Sequence, residues 1–180
     1  FPLATMGFWV HKQKKYNTLE ALLVHPQGND TYSAGFILGI IIAFLIMGSI
    51  SLAIAGLINL FASPTAFRPL IYVFYLVTLF LPTIVFIVGI TSFLAARCFK
   101  NGAVTTLFML VYLGVDILFL STLYHGLFDP LGILLPYTFS DFTGMADLPG
   151  FLLHRVTFLL LGLGFIMLAI SGLPRIPNKI

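Results

Sequence analysis

Four stretches of the chain are almost wholly apolar: residues 34–61, 70–96, 103–123 and 151–173. The first two hold no charge at all. The third holds one acid, Asp116, and the fourth carries His154 and Arg155 near its start. A membrane-crossing helix needs roughly 20 apolar residues to span about 30 Å of hydrocarbon, and each stretch meets that length. None alternates with period two over about ten residues, so the pattern of a membrane β-barrel is lacking. The expectation is an all-α, polytopic transmembrane helix bundle with four spanning helices.

Residues between the stretches supply the stops. Pro64 and Pro69 bracket a short turn after the first span, and the second ends at Arg97. Asn101-Gly102 is expected to turn tightly into the third. Asp147 suits the N-cap of the fourth, with Pro149 in its first turn, where a missing N–H costs little. Pro174 and Pro177 end it. Pro82, inside the second span, predicts a kink.

The remaining segments are not spans. Residues 1–10 are apolar but too short, and are expected to be the end of a preceding helix, with the four spans as the last of a larger bundle of six. Residues 11–33 open polar and then run Thr18-Leu19-Glu20-Ala21-Leu22-Leu23-Val24, one or two turns of amphipathic helix stopped by Pro26 and Gly28-Asn29. In residues 124–150, Asp129-Pro130, Gly132 and Pro136 interrupt apolar residues. This segment is expected to lie in the interface or dip into it as short re-entrant helices. Residues 174–180 form a tail.

Composition agrees with lipid as the solvent. Hydrophobic residues make up 59% of the chain and charged residues 8%, against about a quarter charged in soluble domains. No basic cluster is interleaved with exposed aromatics, so nucleic acid is not an expected partner. The single cysteine, Cys98, excludes an internal disulfide.

The net charge of +3 matters less than its placement. Lys and Arg are retained on the cytoplasmic side of short loops. With the N-terminal segment and the tail cytoplasmic, Lys12, Lys14, Lys15, Arg97, Lys100, Arg175 and Lys179 fall inside. Only Arg68 and Arg155 fall outside. The Asn29-Asp30-Thr31 sequon then faces the cytoplasm.

Few residues could carry chemistry. Asp116 stands out, because an acid near a helix centre costs at least a few kcal/mol in lipid. It could be a proton or cation site or line a substrate path. The plainer reading is an acid paired across the bundle. Gly35 with Gly39, and Ser49 with Ala53, form small-xxx-small patterns that let helix backbones approach. They could serve a dimer interface, although packing within the chain is the commoner use. Arg155 is expected to snorkel outward to headgroups, and His154, Asp129 and Asp141 are further candidates at the outer face.

His11, His25, His125 and His154 make no metal-ligand spacing, and no GxxxxGK[ST] loop occurs. GxSxG and HExxH are absent too. No catalytic residue, metal or cofactor is therefore expected in this chain, which is not read as an enzyme.

The order of elements resembles the second half of a type-2 ABC exporter (ABC-2) permease. It runs from a helix end to a cytoplasmic segment with a short amphipathic helix, three spans, a broken outer segment and a last span. The stretch from Tyr16 to Pro26, with Glu20, Leu22, Leu23 and then Pro26, is similar to the coupling segment of that family. The Gly-bearing helix start Ala34–Gly39 follows it as expected. Phe128–Gly132, Ser140–Gly144, Leu153-His154-Arg155 and the closing Pro174–Asn178 resemble permeases of Bacteroidetes-type ABC systems. The resemblance implies a permease moving a substrate outward, driven by a separate ABC ATPase that holds ATP and Mg. It also implies docking of that ATPase on Thr18, Leu19, Glu20, Leu22 and Leu23, and a second permease half. The competing expectation is a non-transporting membrane scaffold or accessory subunit.

Overall fold

The computed structural model describes residues 29–62, 68–99, 101–120, 129–133, 139–140, 144–145 and 147–172. The expected helix end at 1–10, the amphipathic stretch with Thr18, Leu19, Glu20, Leu22 and Leu23, Asp141 and the tail at 174–180 lie outside these residues. The described chain is helical, apart from the turn at 129–133 and a two-residue antiparallel ladder between β1 (Phe139–Ser140) and β2 (Gly144–Met145).

Helix α1 is Asn29–Ala62 and α2 is Pro69–Cys98. Helix α3 is Gly102–Val115, continued by a π turn over Asp116–Leu120, and α4 is Leu148–Gly172. Three of them, α1, α2 and α4, are long and apolar enough to cross a membrane; the apolar part of α3, Gly102–Leu118, is shorter.

Caps fix the starts. Asn101 is not a tight turn but an extended N-cap, φ −130°, whose side chain accepts the Ala103 N–H at 3.1 Å. Asp147 caps α4 through the Gly150 N–H at 3.1 Å, and Pro69 opens α2 at its first turn.

Helix α2 is the axis of the bundle. Residues 84–89 are all buried, as are Thr91 and Ser92. Their hydroxyls bond back to the Ile87 and Val88 carbonyls at 2.6 Å each. Polar groups are thus satisfied inside the helix that carries them, as an apolar surround requires.

Helix α1 runs antiparallel to α2. Asn59 donates to the Tyr72 hydroxyl at one end, Gly48 lies under the Phe80 ring, and Ile37 and Ile41 pack near Val88 at the other end. Helix α4 runs parallel to α2. Arg155 meets Leu79, Phe158 meets Phe86 at 5.0 Å, Gly162 meets Gly89, Phe165 meets Phe93 at 5.5 Å, and Ser171 meets Arg97 at 3.2 Å. Both numbers in each pair rise together. Two parallel helices in one chain require a return between them, and α3 makes it, with Met109 packed among Phe86, Ile87 and Phe158.

The outward faces stay apolar. On α1, Leu38, Ile42, Ile46, Ile50, Ile54 and Leu57 form an exposed stripe at spacings of three and four. A soluble monomer rarely exposes so large a contiguous apolar surface. The α2–α4 crossing uses glycine. A Cβ on Gly162 would lie 2.7 Å from backbone atoms of Val85 and Phe86, and one on Gly89 would strike the Gly162 carbonyl. Close backbone approach of this kind is how apolar helices associate where lipid removes the hydrophobic drive.

Candidate functional site

Pro82 lies inside α2 and has no N–H. In an α-helical register residue 82 would bond the Thr78 carbonyl, so that carbonyl loses its ordinary donor. The helix responds upstream with a π turn over Leu76–Phe80, closed by the Leu81 N–H on the Leu76 carbonyl. π turns of this kind concentrate at functional sites.

Arg155 fills the gap. It sits on the third turn of α4 and is 1% exposed. Its Nε donates to the Thr78 carbonyl at 3.3 Å, and Nη2 donates to the Leu79 carbonyl at 2.9 Å and the Thr83 hydroxyl at 2.5 Å. The Pro130 carbonyl accepts from Nη1 at 3.3 Å and Nη2 at 3.4 Å. A cation beside carbonyls at a break in a helix also complements the negative end of the upstream half-helix dipole. The outward snorkelling expected of Arg155 is thus not its conformation; the side chain turns into the bundle, because α2 offers it acceptors there.

The segment after α3 reaches the same point. Residues 129–133 form a turn in which the Gly132 N–H meets the Asp129 carboxylate Oδ1 at 2.7 Å and the Asp129 carbonyl at 3.3 Å. Gly132 has φ +73°, a left-handed conformation that favours glycine. A Cβ there would lie 2.8 Å from Arg155 Nη1. Asp129 is 2% exposed, and Pro130 is fully buried. Thr83 Oγ1, having one proton, can donate to the Leu79 carbonyl at 2.8 Å or to Pro130 at 3.1 Å. The turn therefore folds back into the bundle.

Asp116 opens the π turn at the end of α3 and is 1% exposed. Its Oδ1 is buried with no hydrogen-bond partner among the described residues. Asp129 lies close enough to act electrostatically on both Asp116 and Arg155, and Asp116 acts in turn on Tyr112. Two acids and one guanidinium are thus gathered where α2, α3, α4 and the turn meet.

His154 is only half-buried, with its ring 4.8 Å from that of Phe158. Gly35 and Gly39 have nothing within 4 Å of a built Cβ, Ala53 is exposed, and Ser49 bonds to its own Leu45 carbonyl at 2.8 Å. The small residues that do pack helices here are Gly48, Gly89 and Gly162. Thr83 and Pro130 also belong to the site and were not expected. The readable signal for Thr83 was its place directly after Pro82 in the second span.

Arg97 and Thr78 are separated by about 28 Å of α2 at 1.5 Å per residue. No family model, curated protein or solved structure matches this chain.

Proposed function

We propose that this chain is part of the membrane-spanning permease of an ABC-type transporter, embedded with four crossings and driven by a separate ATPase subunit. The observation that carries the reading is the parallel run of α2 and α4 with α3 returning between them. It supports α3 as a fourth crossing despite its shorter apolar run. The turn at 129–133, folded back onto Arg155, supports an outer segment packed into the bundle, as the resemblance to ABC-2 permeases implies.

On this reading the chain performs no covalent chemistry. ATP binding closes the partner ATPase, residues 11–33 pass the motion on, and the helices rock between inward- and outward-open states. The N-terminal segment and tail are cytoplasmic, and transport runs outward. A second permease half faces α1.

The test is affinity purification of the full chain from its native membranes in mild detergent, with any co-purifying ABC ATPase identified by mass spectrometry. The ATPase should co-purify with wild type and be lost with Glu20→Arg, since rim charges set partner choice. Wild type that retains no ATPase defeats the permease reading in favour of a non-transporting membrane subunit. Equal retention by the variant removes only the docking role of Glu20.

A further inference from the structure

The cluster at the outer end of the bundle carries an unbalanced charge. Its described ionisable groups are Asp116 on α3, Asp129 in the turn and Arg155 on α4, with Tyr112 one turn before Asp116. From α2 come the Thr83 hydroxyl and the carbonyls of Thr78 and Leu79; His154, next to Arg155, turns its ring to Phe158. With both acids ionised these described groups sum to one negative charge, and buried charge is expensive.

Arg155 does not cancel it. All three of its nitrogens are engaged by carbonyls and the Thr83 hydroxyl. Asp129 is the acid placed beside the guanidinium, and it also holds the Gly132 N–H. Asp116 has a carboxyl oxygen buried without a donor. An ionised carboxylate is an acceptor only, and needs donors for both oxygens; a carboxylic acid is itself a donor.

We propose that Asp116 is a proton-binding site, its buried carboxyl holding one exchangeable proton. Among the described residues no group of three or more His, Cys, Asp and Glu side chains is gathered to hold a metal. A hard cation would ask for six or more oxygens. A proton needs one carboxyl held out of reach of solvent, which is what Asp116 has. Loss of that proton sets two carboxylates against one guanidinium and pushes α3 away from the 129–133 turn. The outer end of the bundle thereby becomes responsive to pH. The inference rests on burial and charge count, and is independent of the permease reading.

Isotope-edited infrared spectroscopy tests it, on the full chain in lipid nanodiscs with carboxyl-13C aspartate. Wild type at neutral pH should show an aspartic-acid C=O band that the label shifts and that titrates away at alkaline pH. Asp116→Asn, which imitates the protonated acid in shape, should lose the band. Asp116→Glu should keep an acid band that the aspartate label no longer moves. Wild type without a labelled acid band at neutral pH overturns the proposal, and this arm needs no variant to fold. A band that persists in Asp116→Asn overturns it as well. A band present in metal-free buffer but abolished by sodium, potassium or calcium at constant pH would make the occupant a metal cation, and equally overturns it.

Discussion

Arg155 stands in for the N–H that Pro82 lacks, donating from Nε to the Thr78 carbonyl at 3.3 Å. The break in α2 and the buried cation in α4 are therefore one feature. Each alone would be costly in an apolar bundle. A proline inside a helix leaves a carbonyl without its donor, and an arginine in the same setting needs acceptors on every side. Together they also fasten the 129–133 turn, through the Pro130 carbonyl.

Removing Arg155 should therefore expose several acceptors at once. Arg155→Leu is expected to destabilise the folded protein by about 3 kcal/mol or more, the range for breaking a buried polar network on one side. Arg155→Lys keeps the charge but loses the planar fork, and should fall between the two. In a Pro82→Ala background, residue 82 regains an N–H for Thr78, so the loss on Arg155→Leu should shrink by about 1 kcal/mol. Denaturation in mixed micelles of all four members of the cycle measures that coupling. Additive effects would show that the two residues act apart.

Gly132 gives a second expectation. It combines φ +73° with a guanidinium 2.8 Å from where its Cβ would lie. Gly132→Ala should cost about 1–3 kcal/mol from backbone strain and displacement of Arg155. Hydrogen exchange should then quicken at the Gly132 amide, which Asp129 holds in wild type.

The helix contacts separate three kinds of glycine. At Gly162 a Cβ meets backbone of α2, which cannot rotate away; at Gly48 it meets the Phe80 ring, which can; at Gly35 and Gly39 it meets nothing. Gly162→Ala should thus destabilise by about 1–3 kcal/mol, Gly48→Ala by less. Gly35→Ala and Gly39→Ala should stay within about 0.5 kcal/mol. Thermal unfolding of the four variants in one detergent ranks them. A large loss at Gly35 or Gly39 would mean that another chain packs there.

Much of this was legible in sequence because lipid imposes so plain a rule. Apolar length marked α1, α2 and α4, and Asp147 announced a helix start through its short polar side chain, whereas Asn101 beside Gly102 read as a turn rather than the cap it is. Pro82 announced a disturbance in α2, but not its form, since a proline can kink a helix or shift its hydrogen-bond register. Arg155 was misread for a physical reason. Position near a helix end suggests snorkelling, and only the packing of α4 parallel to α2 reveals free carbonyls within its reach. Gly89 and Gly162 were equally silent, because a crossing point depends on register between helices 70 residues apart rather than on a local pattern. The reverse held at Gly35 and Gly39, where a good local pattern meets open space.

Sidedness is the last expectation, and one helix can settle it. Cys98 is exposed at one end of α2, and Arg68 is exposed just before the other. The intervening helix, Pro69–Cys98, is 30 residues long, about 45 Å at 1.5 Å per residue, more than enough to cross the hydrocarbon with some tilt. On the orientation proposed from the excess of Lys and Arg, the Cys98 end is cytoplasmic. A membrane-impermeant maleimide should therefore label native Cys98 in inverted vesicles and leave it untouched in right-side-out ones. In a Cys98→Ser background, Arg68→Cys should show the opposite pattern. Labelling of both sites from the same side would mean that α2 does not cross. The two patterns exchanged would leave α2 as a span and reverse the orientation read from charge.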